Sequence, residues 1–324
     1  MRFSRELLTR EAQTTGFRPE ILEKVFQLLH LLQSFLSHPF LRDRIVLKGG
    51  TALNLFYFDV PRLSVDIDLN YVGAVDRQTM LQERPEVERA VQAVCSREGF
   101  TIRRQPSDHA GGKWSLRYES GFGQGGNLEV DLNFMFRQSL FTVDILDSKR
   151  IGPYLSEAVP LLDIHELAAG KIAALLSRQA SRDLFDTHLL LKQCEFDSDK
   201  LRLAFVVYGA MNRKDWRTVS LEDVDFDRQE LESQLVPVLS ESMVTGVDLQ
   251  EWTERLVAEC RTALEVLLPL SDREVEFLTM INDSGKICPE LLTEDLNLQK
   301  IISVHPLLRW KAQNVRQHKG ILDD

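Results

Sequence analysis

Val46-Leu47-Lys48-Gly49-Gly50-Thr51-Ala52-Leu53, followed by Arg62-Leu63-Ser64-Val65-Asp66-Ile67-Asp68-Leu69, decides how the rest of the chain is read. Residues 44–48 form a short apolar run rich in β-branched side chains, which predicts a buried strand. The glycine pair breaks it, residues 52–58 read as a helix, and Pro61 closes that region. Residues 65–71 alternate aspartate with apolar side chains and predict a second strand. Side chains at i and i+2 of a strand share a face, so Asp66 and Asp68 project together. Two adjacent carboxylates repel unless a cation lies between them. Magnesium suits that position because it takes one or two carboxylates together with phosphate oxygens. Gly49, Gly50 and Thr51 allow the backbone to approach a phosphate closely. Each feature alone has a plainer reading, a tight turn for the glycines and a solvated acidic strand for the aspartates.

Upstream, Ile21, Val25, Leu28, Leu29, Leu32 and Phe35 recur at helical spacing within residues 18–41. Downstream, residues 78–99 predict a helix with Val87, Ala90, Val91 and Val94 on one side and Gly99 as its stop. Strands follow at 101–104 and 113–119, separated by a turn containing Gly111 and Gly112. Residues 121–126 hold four glycines in six positions and read as a turn or loop. The strand expected at 128–136 carries Glu129 and Asp131, a second acidic pair at i and i+2. Asp131 is favoured as a third carboxylate because Val130 and Leu132 centre it in an apolar strand. Glu129, nearer the glycine loop, is the alternative. A third acid beside Asp66 and Asp68 permits two metal ions.

Beyond about residue 160 strand signals fade, and segments 164–177, 184–192, 201–210, 250–268 and 273–282 read as helices. Residues 212–227 read as the least structured stretch. The expected fold class is α+β: a sheet-and-helix domain over 1–155, then a mainly α-helical domain over 156–324 that contributes Lys171 to the active site. Lys171 and Arg178 lie seven residues apart on one helix face. A lysine there holds phosphate as a point charge, and an arginine adds donors. The bland reading is a helix surface salt-bridged to Glu166, Asp183 or Asp186. Asp183 and Asp186 either orient those cations or cap a helix starting near Leu184. Ser64 either hydrogen-bonds a phosphate or Asp66, or simply enters the strand.

Composition narrows the classes. With 44% hydrophobic and 27% charged residues the chain is of ordinary folding type. A net charge of -10 argues against a protein that coats nucleic acid indiscriminately. Arg103, Arg104, Lys113 and Arg117 still form a local cationic group, either a solvated face or a nucleic-acid contact. No apolar run approaches the roughly 20 residues of a membrane span, and the N-terminus lacks the core of a signal peptide, so a cytoplasmic location is expected. Cys95, Cys194, Cys260 and Cys288 form no CxxC pair and read as buried thiols. His109, His165, His188 and His305 have no ligand spacing.

The quoted stretch resembles the nucleotidyltransferases of the polymerase-β-like superfamily: a glycine pair, a helix, then a strand bearing DxD and a later third acid. More narrowly it is similar to the AbiEii/AbiGii toxin family of type IV toxin–antitoxin systems, which includes the MenT toxins. The gap from Gly50 to Asp66 is longer than in many superfamily members and suits the Arg-x-Ser-x-Asp segment of this family. The similarity continues through Glu166-Leu167-Ala168-Ala169-Gly170-Lys171, through Arg178 and Arg182-Asp183-Leu184-Phe185-Asp186, and into residues 285–311. The resemblance implies transfer of a nucleoside monophosphate from an NTP with Mg²⁺ or Mn²⁺. It assigns Asp66, Asp68 and Asp131 to metal and catalysis, and Gly49, Gly50, Thr51, Ser64, Lys171, Arg178 and Asp183 to the nucleotide. Lys171 and Asp186 join the catalytic set. It also implies a tRNA acceptor and an AbiEi-like antitoxin partner. A protein or small-molecule acceptor, or a nucleotide-binding regulator without turnover, are the rival expectations.

Overall fold

A computed structural model describes residues 2–106 and 111–320. The chain divides into two compact units. The first comprises residues 1–137, 143–162 and 233–247; the second takes residues 138–142, 163–232 and 248–324. Both helices and strands are present, as the α+β expectation requires.

The first unit is built on one mixed sheet. Its strands are β1 (Ile45–Lys48), β2 (Asp66–Tyr71), β3 (Thr101–Arg104), β4 (Gly111–Glu119), β5 (Gly125–Asn133), β6 (Asp144–Leu146) and β7 (Val159–Leu161). They lie in the order β3-β4-β5-β2-β1-β7-β6. β2 runs parallel to β5 and antiparallel to β1, and β4 pairs antiparallel with β5. Alternation is strict where it matters: Ile67, Leu69, Trp114, Leu116, Val130 and Leu132 are buried. The intervening residues Asp66, Asp68, Lys113, Ser115, Glu129 and Asp131 reach solvent in part or wholly.

The helices of this unit include α1 (Arg5–Thr15), α2 (Pro19–Leu36), α3 (Gly49–Ala52) and α4 (Arg77–Arg97). α2 starts with Pro at N1, where a missing N–H costs nothing, and packs its apolar stripe on β2 and β5. The expected helix at 52–58 starts earlier, at Gly49, and its later part is a π-type turn over Leu53–Tyr57. Two glycine readings shift. Gly111 and Gly112 open β4 instead of forming a turn before it, and Gly125 and Gly126 already belong to β5. The remaining hairpin loop is anchored, because Ser120 Oγ and the Gly121 N–H both donate to the buried carboxylate of Glu23, at 2.6 and 2.8 Å. Residues 233–247 belong here too: the Leu63 N–H donates to the Val238 carbonyl and the Glu241 N–H to that of Gly16, each at 2.8 Å.

The second unit is helical, led by α5 (Ile164–Arg178), α6 (Ser181–Gln193) and α7 (Ser198–Ala210). Further helices span Leu249–Leu264, Asp272–Ser284, Leu296–Val304 and Pro306–Lys319. The last helix closes others: Lys311 Nζ donates to the carbonyls of Ala210 and Asn212 at the end of α7, at 2.6 and 3.2 Å. Residues 212–227 hold only two 3₁₀ turns, fastened by the fully buried Trp216.

Glu166 organises the start of this unit. It is 1% exposed and accepts the N–H groups of Leu140 and Phe141 and the hydroxyl of Tyr208, each at 3.0 Å. Burial pushes its carboxyl up to about 7, although those three donors pull the other way. A carboxyl raised above its unfolded value binds its proton more tightly in the native state, so its contribution to stability is complete below the unfolded pKa and is lost as pH rises through about 7. Urea unfolding at pH 5 and pH 8 will therefore show wild type losing on the order of 3 kcal/mol more than Glu166→Gln over that interval. Equal losses would remove Glu166 as the source.

Candidate functional site

Sheet register, more than sequence proximity, assembles the acidic face. Asp68 stands opposite Asp131 and Asp66 opposite Glu129 across the parallel β2–β5 pair. Lys48 is the partner of Asp68 on β1, and Lys113 is the partner of Asp131 on β4. One cross-strand row therefore reads Lys48, Asp68, Asp131, Lys113. The next reads Asp66, Glu129, Ser115, Arg104. Neighbouring strands lie about 4.8 Å apart, so each acid has another within one strand spacing on the same face. Sequence reading found the acids through the i, i+2 rule and named Lys113 within a local cationic group, but did not place Lys48 and Lys113 beside the acids. Lys48 was visible inside the opening motif, whereas the pairing of Lys113 depends on hairpin register.

The glycine–threonine stretch positions β2. Thr51 is fully buried, and its hydroxyl lies 2.9 Å from Ser64 Oγ and 2.5 Å from the Asp66 carbonyl. The hydroxyls of Thr51 and Ser64 thus tie α3 to the residue that opens β2. Gly49 has φ +76°, and a Cβ there would stand 2.5 Å from Asp68 Oδ2. In this structure the close approach that requires glycine at position 49 is that of the Asp68 carboxylate.

Electrostatics follow the layout. Burial raises the Asp131 carboxyl above the ordinary aspartate range; Asp68 and Glu129 add to the rise, against Lys48 and Lys113. Glu129 accepts from Lys113 Nζ at 3.0 Å, and that bond together with the nearby acids raises the ammonium pKa. Oxygen donors gathered on one face match the chemistry of a hard divalent ion. As the side chains stand, no three Asp, Glu, His or Cys among the described residues are close enough together to chelate one.

In the second unit the motif residues meet each other. Lys171 Nζ pairs with Asp183 Oδ1 at 2.9 Å and with Asp186 Oδ2 at 3.1 Å. Arg178 Nε reaches Asp183 Oδ2 at 2.6 Å. Both carboxylates are buried, and the lysine side chain is only 10% exposed. Burial alone would push Asp183 up, but Lys171 and Arg178 outweigh it and hold the carboxyl below the usual range. Neither aspartate is the cap of α6, which begins at Ser181 after Ala180.

The other residues singled out are accounted for locally. His165 bonds Asp163, His188 bonds Glu259, and His305 accepts the Leu307 N–H at the start of the last helix. His109 lies outside the described residues. Cys95 and Cys260 are buried, but Cys194 and Cys288 are only partly so, which corrects the expectation for those two. No helix among the described residues is long and apolar enough to cross a membrane.

Comparison with known proteins supplies the family. No curated protein matches the sequence. Among solved structures, the fold matches that of MenT4, a nucleotidyltransferase toxin from Mycobacterium tuberculosis H37Rv, with a TM-score of 0.63. The match covers 93% of this chain and 99% of that one at 19% identity, a likeness of fold. The family model described as the nucleotidyl transferase AbiEii toxin of type IV toxin–antitoxin systems matches residues 30–258. That span includes the opening motif, both acidic strands and the Lys171 cluster, and the chain belongs to this family of nucleotidyltransferase toxins.

Proposed function

We propose that this nucleotidyltransferase moves a nucleoside monophosphate from an NTP to the 3′ end of tRNA, with Mg²⁺ or Mn²⁺ held by Asp66, Asp68 and Asp131. The observation that carries the reading is the row register that sets Asp68 beside Asp131 on one face of the sheet. When bound, the cation supplies neutralisation of the triphosphate charge. The acceptor hydroxyl attacks the α-phosphorus, a new phosphate ester forms, and the bond to the β-phosphate breaks to release pyrophosphate. Asp131, next to Asp68 in the row, completes the metal set or takes the hydroxyl proton as base. The backbone at Gly49, Gly50 and Thr51 is assigned to the phosphates, with Ser64 supporting it. Lys171, oriented by Asp183 and Asp186, and Arg178 are assigned to neutralising substrate phosphate charge. Activity of this kind makes the chain a growth-inhibiting toxin whose control falls to an AbiEi-like antitoxin.

The test incubates purified protein with each α-labelled NTP, total tRNA and Mg²⁺, beside Asp68→Ala and a chelator control. Label should appear on tRNA with one NTP and fall by at least about 10²-fold in Asp68→Ala. Chelation should abolish it. Label on protein instead would discard the tRNA acceptor, and no label anywhere would leave a nucleotide-binding regulator.

A further inference from the structure

The solvent face of the first unit changes sign as it crosses from β2 to β3. The acids stand on β2 and β5; the next strand, β4, presents Lys113, Ser115 and Arg117 on the same face. The edge strand β3 adds Arg104, paired with Ser115, and Thr101, paired with Arg117. Lys113, Arg104 and Arg117 are all exposed. Glu129 neutralises part of the lysine's charge, whereas neither arginine is in an ion pair among the described residues. Gly125, the register partner of Glu119 and diagonal to Arg117, also has a part, because a Cβ there would collide with the Arg117 guanidinium. The missing side chain lets that cation extend over the face of β5. A chain of net charge -10 thus concentrates unpaired arginines within two strand spacings of its acidic rows, roughly 10 Å.

We infer that the β3–β4 face is the track on which the acceptor lies, and that the acceptor is the single-stranded end of a polynucleotide whose phosphates meet Arg104, Arg117 and Lys113. The inference deepens the proposed transfer and rests on its acceptor being a nucleic acid. Charge complementarity commits it to a polyanion. Continuity with the carboxylate rows commits it to a strand whose last nucleotide is at the acids while earlier phosphates follow the cations. Such cations position the strand without reading its sequence.

Fluorescence anisotropy of a labelled 12-nucleotide single-stranded RNA, titrated with the full chain at several salt concentrations without NTP, reads the track directly. Arg104→Ala/Arg117→Ala should weaken binding about ten-fold or more at 0.1 M salt and reduce the salt slope by about 1.4, the value for two lost phosphate contacts on a single strand. Arg255→Ala/Lys192→Ala, which removes two cations from the second unit, controls for net charge and should change neither quantity. An unchanged slope in the β3–β4 variant, or no RNA binding by wild type at low salt, would overturn the track. A circular-dichroism melt confirms that the variant is folded. The labelled-NTP assay answers separately: label on tRNA with an unchanged slope would sink the track alone, and label only on protein would sink the nucleic-acid acceptor.

Discussion

Gly49→Ala will lose at least about 10²-fold in transfer activity and will melt several degrees lower than wild type. Two effects combine at this residue. Its φ of +76° belongs to the left-handed region, where an L side chain costs about 1–2 kcal/mol. The added Cβ would also meet Asp68 at 2.5 Å from Oδ2 and 3.2 Å from Cβ and Cγ. That neighbour is a short side chain on β2, which lies between β1 and β5, so it yields only by shifting its carboxylate, and misplacement of about an ångström is enough for the expected loss. Gly123→Ala separates the two effects. It has φ +82° with nothing within 4 Å, so it should carry the backbone cost and keep its activity. A fully active Gly49→Ala would make the Asp68 contact irrelevant.

Lys171→Met will destabilise the protein by about 3–5 kcal/mol in urea unfolding at neutral pH. The substitution keeps the apolar stem and removes the charge that faces Asp183 and Asp186, which are 1% and 0% exposed. Arg178 remains for Asp183, so that carboxylate keeps one of its two cations. The pH dependence has a definite sign. In wild type the lowered Asp183 carboxyl stabilises the fold above its unfolded pKa, and that contribution is lost as pH falls through the native value. In the variant Asp183 has lost one of the two cations that hold its carboxyl down, so it takes a proton more readily and the gap between variant and wild type should narrow from pH 7.5 to pH 5. Lys171→Met/Asp186→Leu should recover much of the loss, since removing both members of a buried pair costs far less than removing one. A single-variant loss below about 1 kcal/mol would contradict the pairing.

Much of this was legible before the structure, for physical reasons that differ by element. β2 was readable because alternation on a half-buried strand is written in the side chains: Asp66 and Asp68 against Ile67 and Leu69. α5 was readable because Lys171 and Arg178 share a helical face, and both converge on Asp183. β6 and β7 were not, since three residues apiece leave no period to detect. The helices Leu296–Val304 and Pro306–Lys319 were also missed: much of their apolar content is partly exposed, and His305-Pro306 punctuates the pair. That Lys48 and Lys113 bracket the acids was hidden for another reason, because cross-strand register is not written in the sequence. The share of residues 233–247 in the first unit has no signature in the sequence at all.

That returning segment bears on how the protein is made. Its bonds to Leu63 and Gly16 are part of the unit that carries the acidic rows, yet it is translated after residues 163–232. At ribosomal speeds the delay is on the order of ten seconds. Until then the nascent chain has every carboxylate of the sheet but lacks the backbone partner for Leu63, three residues before Asp66. A ribosome that stalls before residue 233 therefore releases a chain in which the strand carrying Asp66 and Asp68 lacks this closure.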